Sequence, residues 1–231
     1  MTHCFIPASS PEDWRSFLAH PEKHWKSGYS AKELAYRWHT CSVFPPEIKS
    51  LFATHSVFDG MEILFAFPEY KVSLPGGNTS SQNDLFVLAR NDSGLVVIMI
   101  EGKVSEPFGE TLEEWSRNVS PGKRRRLAFL QEKLCLPQQL PGHIRYQLLH
   151  RTASSLIVAE QMHAQKAIML VHSFSDINEW FDDYAKFLAL YSVNAHVGRL
   201  HHIPKCTPMD LYIGWAKGDI PSIPTTKKGP D

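Results

Sequence analysis

Two apolar runs on either side of a short turn constrain the fold of this chain more than any other feature. Residues 85–90 (LFVLAR) and 95–104 (LVVIMIEGKV) flank the sequence Asn-Asp-Ser-Gly at 91–94, which is typical of a β-hairpin turn. Apolar residues occupy both faces of each run. We therefore expect two central strands that are covered on both sides of a sheet.

The turn also predicts the register of this hairpin. If Asn91 pairs with Gly94, the alternation of an antiparallel ladder sets Asp84 opposite Glu101. Directly opposed side chains have Cβ atoms about 4.5–5.5 Å apart, so two carboxylates there can share one divalent cation. Lys103 falls on the same face, two residues beyond Glu101.

Opposed carboxylates need a compensating charge. Like charges on facing strands repel, and burial of an unpaired carboxylate is costly, whereas a cation between the two removes both penalties. Mg²⁺ suits such a site because it accepts one or two carboxylates, keeps several waters and leaves positions for phosphate oxygens. Mn²⁺ is the alternative ion. The ammonium of Lys103 would orient a metal-bound water or stabilise charge on a phosphate.

This arrangement resembles the core motif of a known superfamily. Asp84, followed after sixteen residues by Glu101-Gly102-Lys103 at the end of an apolar strand, is similar to the D-(x)n-(E)-x-K motif of the PD-(D/E)XK nucleases, which have the restriction endonuclease-like fold. The resemblance implies that Asp84 and Glu101 bind magnesium and that Lys103 assists phosphodiester hydrolysis. Asn83 stands where the motif name has proline, a position that varies in the superfamily.

The predicted order of elements agrees with the same superfamily. We expect a helix from about Ser30, three strands, a helical insertion at 110–134, a long helix at 144–162, a strand at 167–174 and a helix capped by Asp176. Segments 199–203 and 211–215 predict edge strands. The fold class is α/β, with a core of helix, three-stranded antiparallel meander, helix and strand, plus the insertion and C-terminal additions.

Composition limits the number of domains and the class of protein but does not indicate a function. With 231 residues, 43% of them apolar, we expect one domain over 1–220 and a flexible tail at 221–231. The zero formal net charge predicts no global attraction to nucleic acid. Four scattered cysteines, no signal peptide and no apolar stretch of membrane-spanning length favour a cytoplasmic protein without a membrane partner.

Several residues are candidates for supporting roles. On the long helix Gln147, His150, Arg151 and Ser154 form a polar stripe, which either contacts substrate phosphates or is a solvated face. Glu33 is either an additional metal ligand or the partner of Ser30 in a capping box. Glu69 and Lys71 either flank the metal site or face solvent on a strand edge. The basic run at 123–126 (KRRR) either contacts the phosphates of a nucleic acid or is solvated surface.

The leading hypothesis is a metal-dependent nuclease that hydrolyses phosphodiester bonds of nucleic acid, with DNA as the first expected partner. A non-catalytic binding or assembly protein of the same fold is the alternative, and a carboxylate enzyme acting on a small phosphorylated substrate is a third. A homodimer is one open arrangement. The chain also resembles a family of uncharacterised bacterial proteins through the segments HWKSGYSAKELA, LPGGNTSSQNDLFVLAR, EGKVSEPFG and IRYQLLHRTAS, which supplies no function.

Overall fold

One six-stranded sheet organises the chain. The structure is a computed structural model that describes residues 8–39, 43–203 and 209–220, so the predicted tail at 221–231 lies outside the described residues. The sheet order is β1-β2-β3-β4-β6-β5. The strands are β1 Glu62–Val72, β2 Ser81–Asn91, β3 Gly94–Lys103, β4 Lys166–Ser173, β5 Arg199–Ile203 and β6 Asp210–Lys217.

The sheet is mixed. Strands β1, β2 and β3 form an antiparallel meander, β4 is parallel to β3, β6 is parallel to β4, and β5 pairs antiparallel with β6. Parallel neighbours need long crossover connections, which here contain helices. The α/β prediction is confirmed. The prediction that both C-terminal strands lie at an edge is wrong for β6, because β6 lies between β4 and β5.

Helices cover both faces of the sheet. The α-helices among the described residues are α1 Pro21–His24, α2 Ser30–Trp38, α3 Pro46–Phe52, α4 Leu112–Trp115, α5 Pro121–Lys133, α6 Tyr146–Gln161 and α7 Phe181–Ala189. Two 3₁₀ segments, Pro11–Phe17 and Ser56–Phe58, precede the sheet. The long amphipathic helix is confirmed by α6. The predicted helical insertion is confirmed as α4 and α5, and α5 begins at Pro121 with Ser120 as its N-cap.

Alternation along the central strands divides the core into two layers. Phe86 of β2 and Met99 of β3 belong to the layer that contains α6 and α7, whereas Val87 and Ile98 belong to the layer that contains α2 and α3. Strand β3 is buried along most of its length and β4 along all of it. The expectation that the hairpin strands are covered on both sides is therefore confirmed.

The predicted hairpin register is also confirmed. Asn91 pairs with Gly94 and Phe86 with Met99, and the backbone ladder continues to Leu85 opposite Ile100. The position after Leu85 is Asp84. Asp84 and Glu101 therefore lie next to each other at the same end of the sheet.

The predicted helix from about Ser30 is confirmed as α2, but two predicted helix caps are wrong. Helix α2 has Tyr29 rather than Ser30 as its N-cap, and Glu33 accepts the backbone N–H of Gly28 at 2.9 Å instead of forming a capping box with Ser30. Helix α7 begins at Phe181, after Trp180 in a left-handed conformation, so Asp176 does not cap it. At neither helix does the N-cap side chain accept a hydrogen bond from the first turn.

Arg126 of α5 anchors the loop that leads into β2. Its buried guanidinium donates to the carbonyl oxygens of Pro75 at 2.9 Å, Gly77 at 3.3 Å and Leu74 at 3.4 Å. The loop approaches the helix so closely that a Cβ on Gly76 would lie 2.2 Å from the carbonyl oxygen of Gly122. Glycine is required there, also because Gly76 has a φ of +86°. This contact positions the start of β2, where the candidate site lies.

Candidate active site

The three residues of the sequence motif lie in one pocket. Asp84 near the start of β2, and Glu101 and Lys103 at the end of β3, all line a pocket of about 460 Å³. Because β2 and β3 are antiparallel, the beginning of β2 and the end of β3 lie side by side at the same end of the sheet. The structure therefore brings together the three groups that the hairpin register predicts to converge.

Asp84 binds the backbone of the neighbouring strand. Its Oδ2 accepts the N–H of Gly102 at 2.8 Å, which replaces the next ladder hydrogen bond after Leu85 and Ile100. Its Oδ1 lies 3.9 Å from Nη2 of Arg151, beyond hydrogen-bonding distance. One oxygen of Asp84 is thus fixed, and the other is available to a ligand in the pocket.

Glu101 is the buried centre of the site, with 2% of its surface exposed. Its Oε1 accepts from Nζ of Lys103 and from Nε2 of Gln147, both at 2.7 Å, and its Oε2 accepts from Nε of Arg151 at 2.5 Å. Burial alone would raise the pKa of Glu101, but the charges of Arg151 and Lys103 bring this pKa to about 2. Glu101 is therefore ionised at neutral pH.

Lys103 is held from three directions. Besides Glu101, its ammonium contacts Oε1 of Gln147 at 3.3 Å and lies over the ring of Phe108, 4.9 Å from the ring centroid. The side chain is 4% exposed. An ammonium that is buried beside a carboxylate and an aromatic face has little freedom to move, so its charge is fixed at the floor of the pocket.

Glu69 is a third carboxylate at the site. It lies in β1 between Pro68, which pairs with Leu85, and Tyr70, which pairs with Asn83, and its φ of +53° is a left-handed conformation within a strand. A non-glycine residue in this conformation costs about 1–3 kcal/mol and persists only where the surrounding structure holds it in place. Glu69 lines the pocket, whereas Lys71, the other predicted flanking residue, is exposed and does not.

The acidic groups at the site have unusual ionisation. Burial raises the pKa of Glu69 to about 7. Burial, and then the charges of Glu101 and Glu69, raise the pKa of Asp84 well above its ordinary value. The pocket is lined by four carboxylates, Glu69, Asp84, Glu101 and Glu106, against the three cations Lys23, Lys103 and Arg151, so it carries an excess of negative charge when all are ionised.

The carboxylates alone provide a limited set of metal donors. Within the described ranges, no group of three or more His, Cys, Asp or Glu side chains is placed to hold a metal ion. Asp84 and Glu101 are the two facing carboxylates at the floor of the pocket. Mg²⁺ typically binds through one or two carboxylates and completes its shell with water and phosphate oxygens, so a pair is sufficient for this ion.

The polar stripe of α6 faces the sheet rather than solvent. Gln147 and Arg151 donate to Glu101, and Arg151 is 8% exposed. His150 instead pairs with Oγ of Ser81 at 2.7 Å, and Ser154 donates to the carbonyl oxygen of His150 in its own helix. Of these side chains Arg151 lines the pocket, and Gln147 and His150 do not. The predicted direct substrate contact of His150 is thus replaced by a buried contact with β2.

Glu33 is a buried carboxylate of helix α2. Its side chain is fully buried, Oε1 accepts from Gly28, and Oε2 has no hydrogen-bond partner. Glu33 does not line the pocket that contains Asp84 and Glu101. Its role as an additional metal ligand stays a prediction.

Two residues of the basic run at 123–126 make contacts within the protein. Lys123 donates to the carbonyl oxygen of Trp115 at 2.5 Å and lies over its ring, 4.9 Å from the centroid. Arg126 anchors the loop before β2. Arg124 and Arg125 remain exposed. Half of the predicted phosphate-binding run therefore has a structural role.

Sequence reasoning missed the wall that faces the carboxylates. This wall is formed by residues that precede or begin α2, among them His20, Lys23, His24, Tyr29 and Ser30. No spacing rule connects these residues to a motif more than fifty positions later. The only available signal was the concentration of histidine, lysine and aromatic residues at 20–29.

Comparisons with known proteins place the chain in a family. No helix among the described residues is long and apolar enough to cross a membrane. No curated protein and no solved structure shows significant similarity to the chain. One family model, described as "Domain of unknown function (DUF6946)", matches residues 7–220, which is most of the sequence, and the chain therefore belongs to this family.

Proposed function

We propose that this protein is a metal-dependent nuclease that hydrolyses phosphodiester bonds of nucleic acid, with DNA as the first substrate to test. The observation that carries the proposal is the convergence of Asp84, Glu101 and Lys103 on one pocket at the end of a β-hairpin. Paired carboxylates beside an ammonium are the groups that hydrolysis of a phosphodiester by a bound divalent ion requires.

The order of elements supports a restriction endonuclease-like core as the finer description of the fold. Helix α2, the meander β1–β3, helix α6 and strand β4 follow one another as in that core, and α4 and α5 form an insertion between β3 and α6. The family model covers 7–220 continuously, which supports a single domain over this range.

The donor chemistry supports a divalent cation between Asp84 and Glu101. The raised pKa of Asp84 reflects burial beside other carboxylates, and a cation would relieve that repulsion. Oδ1 of Asp84 makes no short contact with Arg151 that would compete with an ion. Mg²⁺ or Mn²⁺ held by these two residues would supply Lewis-acid polarisation of a phosphate and a bound water of lowered pKa.

The protein's own cations would act on the phosphate. Lys103 and Arg151 both line the pocket and are both more than nine-tenths buried. In a site that excludes water, a fixed positive charge stabilises developing negative charge more strongly than in bulk solvent. Gln147 keeps the ammonium of Lys103 in place through its Oε1. We assign charge stabilisation to Lys103 and Arg151, and positioning to Gln147.

A second function is favoured by one specific observation. Both oxygens of Glu101 already accept hydrogen bonds, from Lys103, Gln147 and Arg151. A fully satisfied ion network can be purely structural. The second candidate is therefore a binding or assembly protein that has the nuclease fold without hydrolysis, and such a protein would not need to bind divalent ions.

Cleavage assays with matched variants test the proposal. Purified protein with Mg²⁺ or Mn²⁺ should cleave DNA or RNA, and Asp84→Asn, Glu101→Gln and Lys103→Met should each reduce the rate by about 10²-fold or more. Glu62→Gln is the control, because Glu62 is an exposed carboxylate at the opposite end of the same sheet. Cleavage that survives all three substitutions would reject the assignment.

Calorimetric titration with Mn²⁺ separates the two candidates. The nuclease requires that the wild-type protein binds Mn²⁺ and that Asp84→Asn greatly weakens this binding. Since this substitution keeps an oxygen that can accept the N–H of Gly102, it should preserve the fold. Absence of Mn²⁺ binding and of cleavage in a folded wild-type protein would favour the scaffold.

A further inference from the structure

The pocket has two chemically different walls. Its floor contains the carboxylates of Glu69, Asp84, Glu101 and Glu106 together with Lys103 and Arg151, whereas the wall formed by the segment before α2 presents Lys23, Tyr29 and two imidazoles. The imidazoles belong to His20 and His24, whose ring centroids are 6.5 Å apart. Lys23 is exposed, and Tyr29 keeps 41% of its surface accessible. The facing wall therefore offers positive charge, hydrogen-bond donors and a flat ring to whatever occupies the pocket.

The reactive groups are recessed behind this wall. Glu101 and Lys103 are only 2% and 3% exposed, although both line the pocket. The pocket volume of about 460 Å³ falls in the range of small-ligand sites. In a duplex both faces of each base are stacked on neighbouring bases, so the base cannot stack on a protein ring. An unpaired nucleotide of a single strand leaves its base free to lie against an exposed ring such as Tyr29 in the lining of the pocket.

We infer that the substrate of this site is an unpaired nucleotide of a single strand, held between the carboxylate floor and the wall formed by His20, Lys23, His24 and Tyr29. This inference rests on the proposed nuclease function and specifies its substrate class. Tyr29 stacks on the base, because aromatic stacking is the sequence-tolerant way to hold unpaired bases. Lys23 and the two imidazoles contact the phosphates that flank the scissile bond.

A comparison of cleavage rates tests the inference. One sequence is prepared as a single strand and as a duplex whose two ends are closed by loops, and kcat/KM is measured on both with Mn²⁺. The single strand should be cleaved at least about 10-fold faster, since only its unpaired bases can stack on Tyr29. Lys23→Ala and Tyr29→Ala should each lower kcat/KM on the single strand about 5-fold or more, mainly through KM.

Lys26→Ala is the matched control, because Lys26 is an exposed lysine three positions along that does not line the pocket. Lys23 and Tyr29 are also exposed, so their replacement leaves the core intact. Equal cleavage of both substrates, or Lys23→Ala and Tyr29→Ala proteins that behave like Lys26→Ala, would overturn the inference while the nuclease assignment stands.

A binding measurement separates failure of the inference from failure of the nuclease. Fluorescence anisotropy with a labelled 12-nucleotide single strand is recorded in Ca²⁺ against the same closed duplex. Preferential single-strand binding that is lost in Lys23→Ala and Tyr29→Ala, without cleavage in Mg²⁺ or Mn²⁺, would retain the recognition wall and reject hydrolysis. Equal binding of both nucleic acids, or no binding, would overturn the recognition wall itself.

Discussion

Substitution of Glu69 by glutamine tests the electrostatics of the pocket in depth. Burial raises the pKa of Glu69 from 4.5 to about 7. In the unfolded chain the carboxyl ionises near its ordinary value, so it holds a proton in the folded state over a pH range where the unfolded state has lost it. The contribution of the protonated Glu69 carboxyl to the free energy of unfolding is therefore fully present below the unfolded-state pKa of 4.5. It is lost as the pH rises through the folded-state pKa of about 7.

The magnitude follows from the two pKa values. Their difference corresponds to about 3 kcal/mol of unfolding free energy, fully expressed once the pH exceeds the folded value. Glutamine has nearly the same shape, and its carbonyl oxygen can still accept from Gln82, which donates to Glu69 in the wild-type protein. Glu69→Gln should therefore stabilise the metal-free protein by about 3 kcal/mol near pH 8.5 and by under about 1 kcal/mol near pH 5.

Urea unfolding in EDTA measures this effect at both pH values. The comparison uses the difference between variant and wild type, because buried His150 and His172 have lowered pKa values and change the stability of both proteins in the same way. Glu113→Gln is the control, an exposed carboxylate on α4. A pH-independent difference, or a destabilised variant near pH 8.5, would refute the assignment of Glu69 as a buried, protonated group.

Two further substitutions test the site and its support. Arg151→Met should destabilise the protein by about 3–5 kcal/mol near pH 8, because the buried negative charge of Glu101 then lacks one of its cationic partners. In thermal unfolding Mn²⁺ should restore part of this loss, and an unchanged melting temperature would contradict the role of Arg151. Gly76→Ala should lower the free energy of unfolding in urea by about 2–5 kcal/mol, because the added Cβ would meet Gly122. Gly28→Ala is the control, since its Cβ would enter open space, and it should cost only about 1–2 kcal/mol; equal losses in the two variants would refute the close contact.

The core elements were predictable where the signal is local. The hairpin turn at 91–94, the apolar strands on either side and the amphipathic helix α6 follow from alternation and helical periodicity, and the register of Asn91 with Gly94 carries Asp84 to Glu101. Helix caps were less predictable. Glu33 bonds to Gly28 instead of capping at Ser30, and the conformation of Trp180 moves the start of α7 past Asp176.

Tertiary packing decided the surroundings of the motif. The polar stripe of α6 was identifiable, but only the crossover from β3 to β4 sets Arg151 and Gln147 on Glu101. The same packing turns Arg126 from a candidate phosphate ligand into an anchor of the loop before β2. Periodicity indicates which residues share a face, but not which element that face meets.

The chain's own order of residues determined that two acids and a lysine meet at one end of a hairpin, because strand pairing across a short turn is a local property. Only the folded structure decided that Glu69 joins them through a left-handed backbone conformation, and that the segment around Lys23 and Tyr29 faces them across the pocket. These contacts join parts of the chain far apart in sequence, where loop closure and packing, not periodicity, select the neighbours.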